Sequence, residues 1–242
     1  MMHPIENESM YVYPVNMVTG AKLNSAEILT FSNIRNIYHP YLKHRAHFTT
    51  DDVKVEMEWD TNIKPDTLII ADTNAAEFTF SCGIISITEK LENKINIFPL
   101  ENTDFTTASL GFKNADDKPV YTGLVFLGNK VELPRFIVKP QIETNIRGDS
   151  FRTNNGQAFG VILPTLKSFS MQFVCIHDER VKVIEKYLQS VQTSIPHVID
   201  FYPEAHDTLQ PQYVTLTSGL NMQKRPESDF YWNFNLEWME AR

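Results

Sequence analysis

The sequence predicts a mainly β chain. An antiparallel β-sandwich is expected over residues 1–133, a linker or long exposed loop over 134–157, and a small β-sheet domain carrying one α-helix over 158–242. Three observations lead there. Residues 53–59, VKVEMEW, alternate apolar with charged side chains, as a strand with one buried face does. Short β-rich runs then recur about every ten residues with Asn, Asp, Gly or Pro between them, the pattern of a sandwich or barrel. A helical period appears only once, at Val181, Ile184, Leu188 and Val191, with Tyr187 beside it.

The elements follow in order. After 53–59, the runs 67–71, 77–80, 83–88, 95–98, 120–127 and 135–138 read as strands. No glycine-rich phosphate loop lies between them, which disfavours a doubly wound sheet. Pro134, Pro140 and the polar stretch NIRGDSFRTNNG (145–156) read as a connection. Strands resume at 158–163 and 168–176. Asp178 suits an N-cap and Glu179 the first helical turn. Ile195 precedes Pro196 and so avoids helical geometry, ending the helix. Segments 197–202, 212–217 and 230–239 complete the strands.

Composition narrows the function classes. With 22 basic and 30 acidic residues, the net charge is −8. Such a chain is poorly suited to nucleic acid or an anionic membrane, because phosphates need clustered Lys and Arg. The nearest basic patch, Lys43, His44, Arg45 and His47, is short. Cys82 and Cys175 lie far apart in apolar runs and read as buried free thiols. The opening MMHPIENESM has no secretory-signal pattern, and no window approaches the roughly 18 apolar residues of a membrane span. A soluble, cytosolically made protein is the expectation.

Phe230, Trp232, Phe234, Leu236 and Trp238 alternate along the last strand and share one face. They are expected to wall a core, with a subunit interface or a sugar or base platform as the other uses. His39, His44 and His47 lie within nine residues, but without a ligand spacing they read as a solvated loop rather than a zinc site. Asp200, Glu204 and Asp207 with His206 offer carboxylates for glycosidic chemistry, in what reads as an exposed connection. Arg147-Gly148-Asp149-Ser150 reads as a polar turn. No nucleotide, serine-hydrolase or metalloprotease motif occurs. No catalytic residue, cofactor or metal is therefore expected.

Two stretches carry a family resemblance. Residues 32–80, SNIRNIYHPYLKHRAHFTTDDVKVEMEWDTNIKPDTLIIADTNAAEFTF, resemble the galactose-binding-like jelly rolls of many phage and prophage structural proteins. A loop-rich opening leads to a strand, and a DTLIIADTN run (66–74) follows, with Asp72-Thr73 where those proteins often carry His. VYTGLVFLGNKVELP (120–134) is similar to their closing strand. The helix beginning Asp178-Glu179-Arg180, the HVIDFYPE strand and the final YWNFNLEWMEA strand resemble phage tail proteins of the baseplate or distal-tail kind.

The resemblance implies a non-enzymatic structural or assembly component of a phage or prophage-derived tail. It would be homo-oligomeric, partnered by other tail proteins, and carried in a particle made in the bacterial cytoplasm. The alternative is a carbohydrate-binding module or adhesin that takes glycans on its sandwich loops with Tyr38, His39, Tyr41 and His44. A glycoside hydrolase using Asp200, Glu204 or Asp207 ranks third.

Overall fold

The computed structural model describes residues 10–40, 42, 44–101, 103–134, 140–145, 148–152, 158–162, 165–193, 195–218, 223–224 and 230–241. In chain order the strands are β1 (Met10–Tyr13), β2 (Lys22–Asn24), β3 (Ala46–His47), β4 (Asp52–Ile63), β5 (Thr67–Thr73), β6 (Glu77–Cys82), β7 (Ile85–Lys90), β8 (Ile95–Pro99), β9 (Phe105–Lys113), β10 (Tyr121–Gly128) and β11 (Val131–Leu133). They continue as β12 (Gln141–Asn145), β13 (Gly148–Arg152), β14 (Ala158–Ile162) and β15 (Leu166–His177). Helix α1 (Asp178–Val191) precedes β16 (His197–Asp200), β17 (Gln212–Leu216), β18 (Gln223–Lys224) and β19 (Tyr231–Glu240). As the sequence predicts, the protein is mainly antiparallel β-sheet with a single helix and no closed barrel among the described residues.

The chain divides into two compact units. The first holds Tyr11–Glu132 together with His197–Ile199, and the second is built from Leu133–Pro196 and Asp200–Ala241. In the first unit a five-stranded sheet, β2-β4-β9-β6-β7, and a four-stranded sheet, β3-β10-β5-β8, make the sandwich. The alternation of β4 has its expected consequence: Val53, Val55, Met57 and Trp59 are buried, while Lys54, Glu56 and Glu58 are exposed. Phe78, Phe80, Leu110 and Phe112 join them from the same sheet, and Leu68, Ile70, Val125 and Leu127 face them from the other. Burying each such side chain contributes about 1.5–3 kcal/mol.

Strands β5 and β10 are buried along nearly their whole length. A strand reads as a continuous apolar run only when both faces are covered. The second face of β10 is covered by two 3₁₀ segments, Met17–Gly20 and Ile34–Tyr38. Asn16 locks the first of them down. Its amide donates to the Val125 carbonyl at 2.9 Å, and its oxygen accepts from the Leu127 N–H at 3.1 Å. Cys82 is buried and free, and burial pushes its thiol pKa up. The Cys175 side chain lies outside the described residues.

In the second unit β17, β19, β15 and β12 are successive neighbours, β18 pairs with β19, and β13 and β14 form a hairpin. Phe173 stands opposite Phe234 and Phe169 opposite Trp238 across β15 and β19. Helix α1 buries Val181, Ile184, Tyr187 and Val191. Tyr187, rather than Leu188, takes the deep position, because its hydroxyl accepts a 2.8 Å hydrogen bond from the fully buried Trp238 indole. The helix start also differs from expectation. The N-cap is His177, whose ring nitrogen accepts from the Glu179 N–H at 3.4 Å. Asp178 is already helical, and its carboxylate is taken by the Trp232 indole N–H.

Segment 134–157, expected as a linker, contains β12 and β13. Gln141–Asn145 pairs with Ser170–Leu166, yet Gln141, Ile142, Glu143 and Thr144 are all exposed. An edge strand is made by backbone pairing and needs no apolar alternation, so its polar sequence conceals it. Gly148, Asp149 and Ser150, read as part of a turn, likewise lie in β13 opposite β14, and Arg147 is outside the described residues.

The row of rings in the last strand is divided. Phe234, Leu236 and Trp238 are buried and form core wall, Trp232 is half-buried, and Phe230 is 61% exposed. The partner strand β15 changes register between Phe173 and Ile176, and beyond that irregularity the ladder resumes with Trp232 opposite Ile176 and ends with Tyr231 opposite His177, leaving Phe230 outside it.

Candidate functional site

The most concentrated polar chemistry of the sandwich is at one end, where β3, the end of β5 and the start of β10 meet. β3 is only Ala46–His47, and it pairs with Thr122 and Tyr121. Ala46 is in the core, so strand alternation turns Arg45 and His47 outward beside Tyr121. The Arg45 guanidinium lies 4.4 Å from the Tyr121 ring centroid. The His47 ring lies 5.9 Å from the same ring.

Arg45 is held in a fork. Its Nε donates to Asp72 Oδ2 and its Nη2 to Asp72 Oδ1, each at 2.7 Å. Bidentate pairs of this kind fix the plane of the guanidinium as well as its position. The hydrogen bonds that Arg45 donates to Asp72 push its pKa up further, so the group is a permanent cation. A guanidinium carries five N–H donors. Nη1 has no partner among the described residues, and Arg45 is 36% exposed.

The backbone accepts strain to present Asp72. Its φ is +53°, in the left-handed region, which costs about 1 kcal/mol. Between the paired positions Thr73–Thr122 and Ala71–Leu124, Asp72 comes level with Gly123. A Cβ on Gly123 would sit 2.8 Å from Asp72 Oδ2 and 2.9 Å from the Leu42 carbonyl oxygen. The glycine is therefore what lets the carboxylate lie flat across β10. The next residues tie the turn to the same strand. Asn74 Oδ1 accepts from the Tyr121 N–H at 2.7 Å, and the Thr73 hydroxyl donates to the Tyr121 carbonyl at 2.7 Å.

The sandwich-loop residues singled out in the sequence distribute unevenly around this cluster. His39 closes the 3₁₀ segment with its N–H on the Asn36 carbonyl, and its ring lies 4.3 Å from that of His44, which is exposed. Asn36 in turn donates to the Arg45 carbonyl at 3.1 Å, linking this loop to the guanidinium. Tyr38 is half-buried and packs on the sandwich core. Tyr41 lies outside the described residues. Among the described residues no three His, Cys, Asp or Glu side chains converge on a point that could hold a metal ion.

The Asp200 group belongs to the fold of the second unit. Asp200 is 1% exposed. Its Oδ2 lies 2.8 Å from His206 Nε2, and its Oδ1 accepts from the Tyr202 N–H at 3.3 Å. Burial pushes its carboxyl pKa up, and the His206 hydrogen bond pulls it partway back. Glu204 and Asp207 are exposed. This places one closed carboxylate beside two open ones, with His206 as a latch on the loop.

On the outer face of the five-stranded sheet, two adjoining grooves of about 430 and 500 Å³ share Ser81 and Ser109. Small hydroxyls and the paired charges Lys54–Glu56 dominate their exposed surface. They bring no cationic fork and ring together as the Arg45 end does.

The cluster was partly hidden in sequence. Arg45 was visible only as part of a short basic patch, and Asp72 only as the residue in a slot that often carries His. Nothing local marked Tyr121 or Gly123 as their partners, since the pairing spans 27 residues in one case and relies on β10 in the other.

The sequence matches no known family profile and no curated relative. Among solved structures, the chain is similar to a Streptococcus pneumoniae fucose-binding module, 10% identical with a TM-score of 0.41 over 47% of this chain and 96% of that one. It is similar to the lectin domain of lectinolysin complexed with Lewis B antigen, 8% identical with a TM-score of 0.43 over 49% and 99%. It is also similar to CpGH89CBM32-4 produced by Clostridium perfringens, 10% identical with a TM-score of 0.40 over 47% and 98%. These neighbours are carbohydrate-binding modules, and nothing in the comparisons points to a phage tail.

Proposed function

We propose that this protein binds carbohydrate, through the end of its galactose-binding-like sandwich where Arg45, Asp72 and Tyr121 meet. The observation that carries the reading is the bidentate Arg45–Asp72 pair lying on the Tyr121 ring, held in place by a strained Asp72 and an obligatory Gly123. Adjacent sugar hydroxyls are donors and acceptors at once. A guanidinium with N–H groups to spare beside a carboxylate with free lone pairs satisfies both needs. The pair is pre-organised, so a ligand does not have to order those side chains on binding. His44 and His47, both exposed, stand where they can add hydrogen bonds at the rim.

The reading is one of binding without turnover. No feature of the described residues favours a ring or tail-particle assembly role over it. The test is a glycan array probed with the full chain, followed by titration of the best ligand against Arg45→Ala. Saturable binding abolished by Arg45→Ala is expected. No saturable binding to any glycan, or binding that Arg45→Ala leaves unchanged, would overturn the proposal.

A further inference from the structure

Three histidines surround the Arg45 cluster, and the fold does not treat them alike. His47 turns to the Tyr121 ring. His39 and His44 turn to each other, with ring centroids 4.3 Å apart and planes tilted by 45°. His39 is half-buried and His44 is exposed. In sequence these two are five residues apart, an interval that brings side chains together on neither a helix nor a strand. A loop that folds back on itself makes the pair.

One residue fixes both arms of that loop. The Asn36 carbonyl accepts from the His39 N–H at 3.2 Å. The Asn36 side-chain amide donates at 3.1 Å to the carbonyl of Arg45, the residue after His44. Ile37, Leu42 and Ala46 are buried before, between and after the two histidines. The Leu42 carbonyl lies against Gly123, where an added Cβ would come within 2.9 Å of it. Arg45 is itself clamped by Asp72. The two imidazoles are therefore carried on a backbone held at both ends.

Neutral imidazole is a ligand for zinc and its neighbours among the divalent metals. Two imidazoles on one zinc ion, each bound through nitrogen at about 2.0–2.1 Å and at a near-tetrahedral angle, have ring centroids about 5 Å apart. The observed 4.3 Å is close to that, and rotation of the exposed His44 ring opens the remaining gap. Each ring keeps its second nitrogen for a hydrogen bond of its own, as metal-bound imidazoles do. The neighbouring Arg45 charge is offset by Asp72, and the chain as a whole carries −8, which attracts cations. Among the described residues no third His, Cys, Asp or Glu side chain joins the pair. The remaining coordination positions are thus left to water or an added ligand, as in an open site and unlike the closed four-ligand sites of structural zinc.

We propose that His39 and His44 form a two-histidine site for a divalent transition-metal ion of the zinc class. The inference is independent of the carbohydrate reading, and neither Asp72 nor Tyr121 serves as a ligand. It adds an exchangeable cation at the rim of the same end of the sandwich.

The experiment titrates zinc into the full chain by calorimetry, for wild type, His39→Ala and His44→Ala, with the melting temperature of each measured without metal. Wild type is expected to bind zinc, and each variant to weaken that binding at least tenfold, because neither imidazole alone chelates. In spectra of the imidazole ring protons, zinc is expected to shift His39 and His44 together, more than His47. His44 is exposed, so His44→Ala keeps the wild-type melting temperature and carries the test should His39→Ala lose its fold. Absence of zinc binding into the millimolar range overturns the proposal. So does binding that His44→Ala leaves unchanged, or a zinc response larger at His47 than at the pair.

Discussion

The two units each hold a carboxylate bound by a basic side chain, and the two pairs are built in opposite ways. In the sandwich, Asp72 and Arg45 are 17% and 36% exposed, the backbone is strained to present the carboxylate, and the guanidinium keeps donors in hand. In the second unit the Asp200 side chain is 2% exposed, its backbone is ordinary, and His206 covers it from the solvent side. Conformational strain is retained where a group must face outward in one geometry, and burial is used where a group must hold the chain together. Both units sink aromatic rings into their cores, Phe78, Phe80 and Phe112 in the sandwich and Phe169, Phe173, Phe234 and Trp238 in the second unit, so it is the carboxylate pairs that set the two apart.

Substitutions can break this contrast or sharpen it. The largest effect is expected from Trp238→Ala. Trp238 is fully buried, donates to Tyr187, and packs edge-on to Phe201 with ring centroids 6.0 Å apart. Its loss should cost about 3–5 kcal/mol. Urea unfolding followed by Tyr and Trp fluorescence measures this, and a cost below about 1 kcal/mol would show that the second unit is not held by its ring core.

Next comes Gly123→Ala. The new methyl meets the Asp72 carboxylate, which Arg45 holds in place, and the Leu42 backbone carbonyl, both well inside contact distance. Overpacking of this kind costs about 1–3 kcal/mol. The same substitution should displace Asp72 and remove glycan binding. Stability lost with binding retained would mean that the fork is not the ligand contact.

His206→Ala is expected to cost about 1–2 kcal/mol near neutral pH, because a buried carboxylate loses its partner while water can reach part of the gap. The pH dependence has a definite sign. Burial raises the folded-state pKa of Asp200 above its unfolded value, so folding is favoured while the acid is protonated. That contribution is lost as pH rises from the ordinary carboxylate range through the folded pKa. Removing His206 takes away the interaction that pulls the pKa back, so the deficit should grow with rising pH and shrink in acid. A deficit that is constant from pH 4 to pH 8 would show that His206 acts by packing alone.

The smallest stability effect belongs to Arg45→Ala. A partly exposed pair contributes about 0–1 kcal/mol, so the variant should unfold nearly as wild type does. The contrast between the two units is sharpest here. Breaking the Asp200 pair is expected to lose stability, and breaking the Asp72 pair is expected, on the proposed function, to lose ligand.

The extent to which the sequence announces these features differs from element to element. The alternation 53–59 and the period of α1 were legible, because side-chain direction in a strand or helix is set by local geometry. Strand β12 was not, because its exposed side chains, Gln141, Ile142, Glu143 and Thr144, show no apolar alternation. Asp178 was a reasonable cap by residue type, yet the Trp232 indole claims its side chain and leaves the capping to His177. Tyr38 and His39 were noticed by composition, and only packing separates the half-buried ring of one from the His44 contact of the other.

By itself the amino-acid order determined that this protein is built of strands with one helix, which residues of β4 turn inward, and that Val181, Ile184 and Val191 of α1 do so. Those properties depend on the fixed periods of the two backbone conformations. Only the tertiary structure decided that Arg45 meets Asp72 across 27 residues, that Gly123 leaves room for them, and that Asp200 is sealed while Asp72 stays open. It also decided that the row of rings runs from exposed Phe230, just before β19, to buried Trp238 within it. The reason is that strand register and loop packing join segments far apart in the chain, and no local pattern specifies which of the available partners will be brought together.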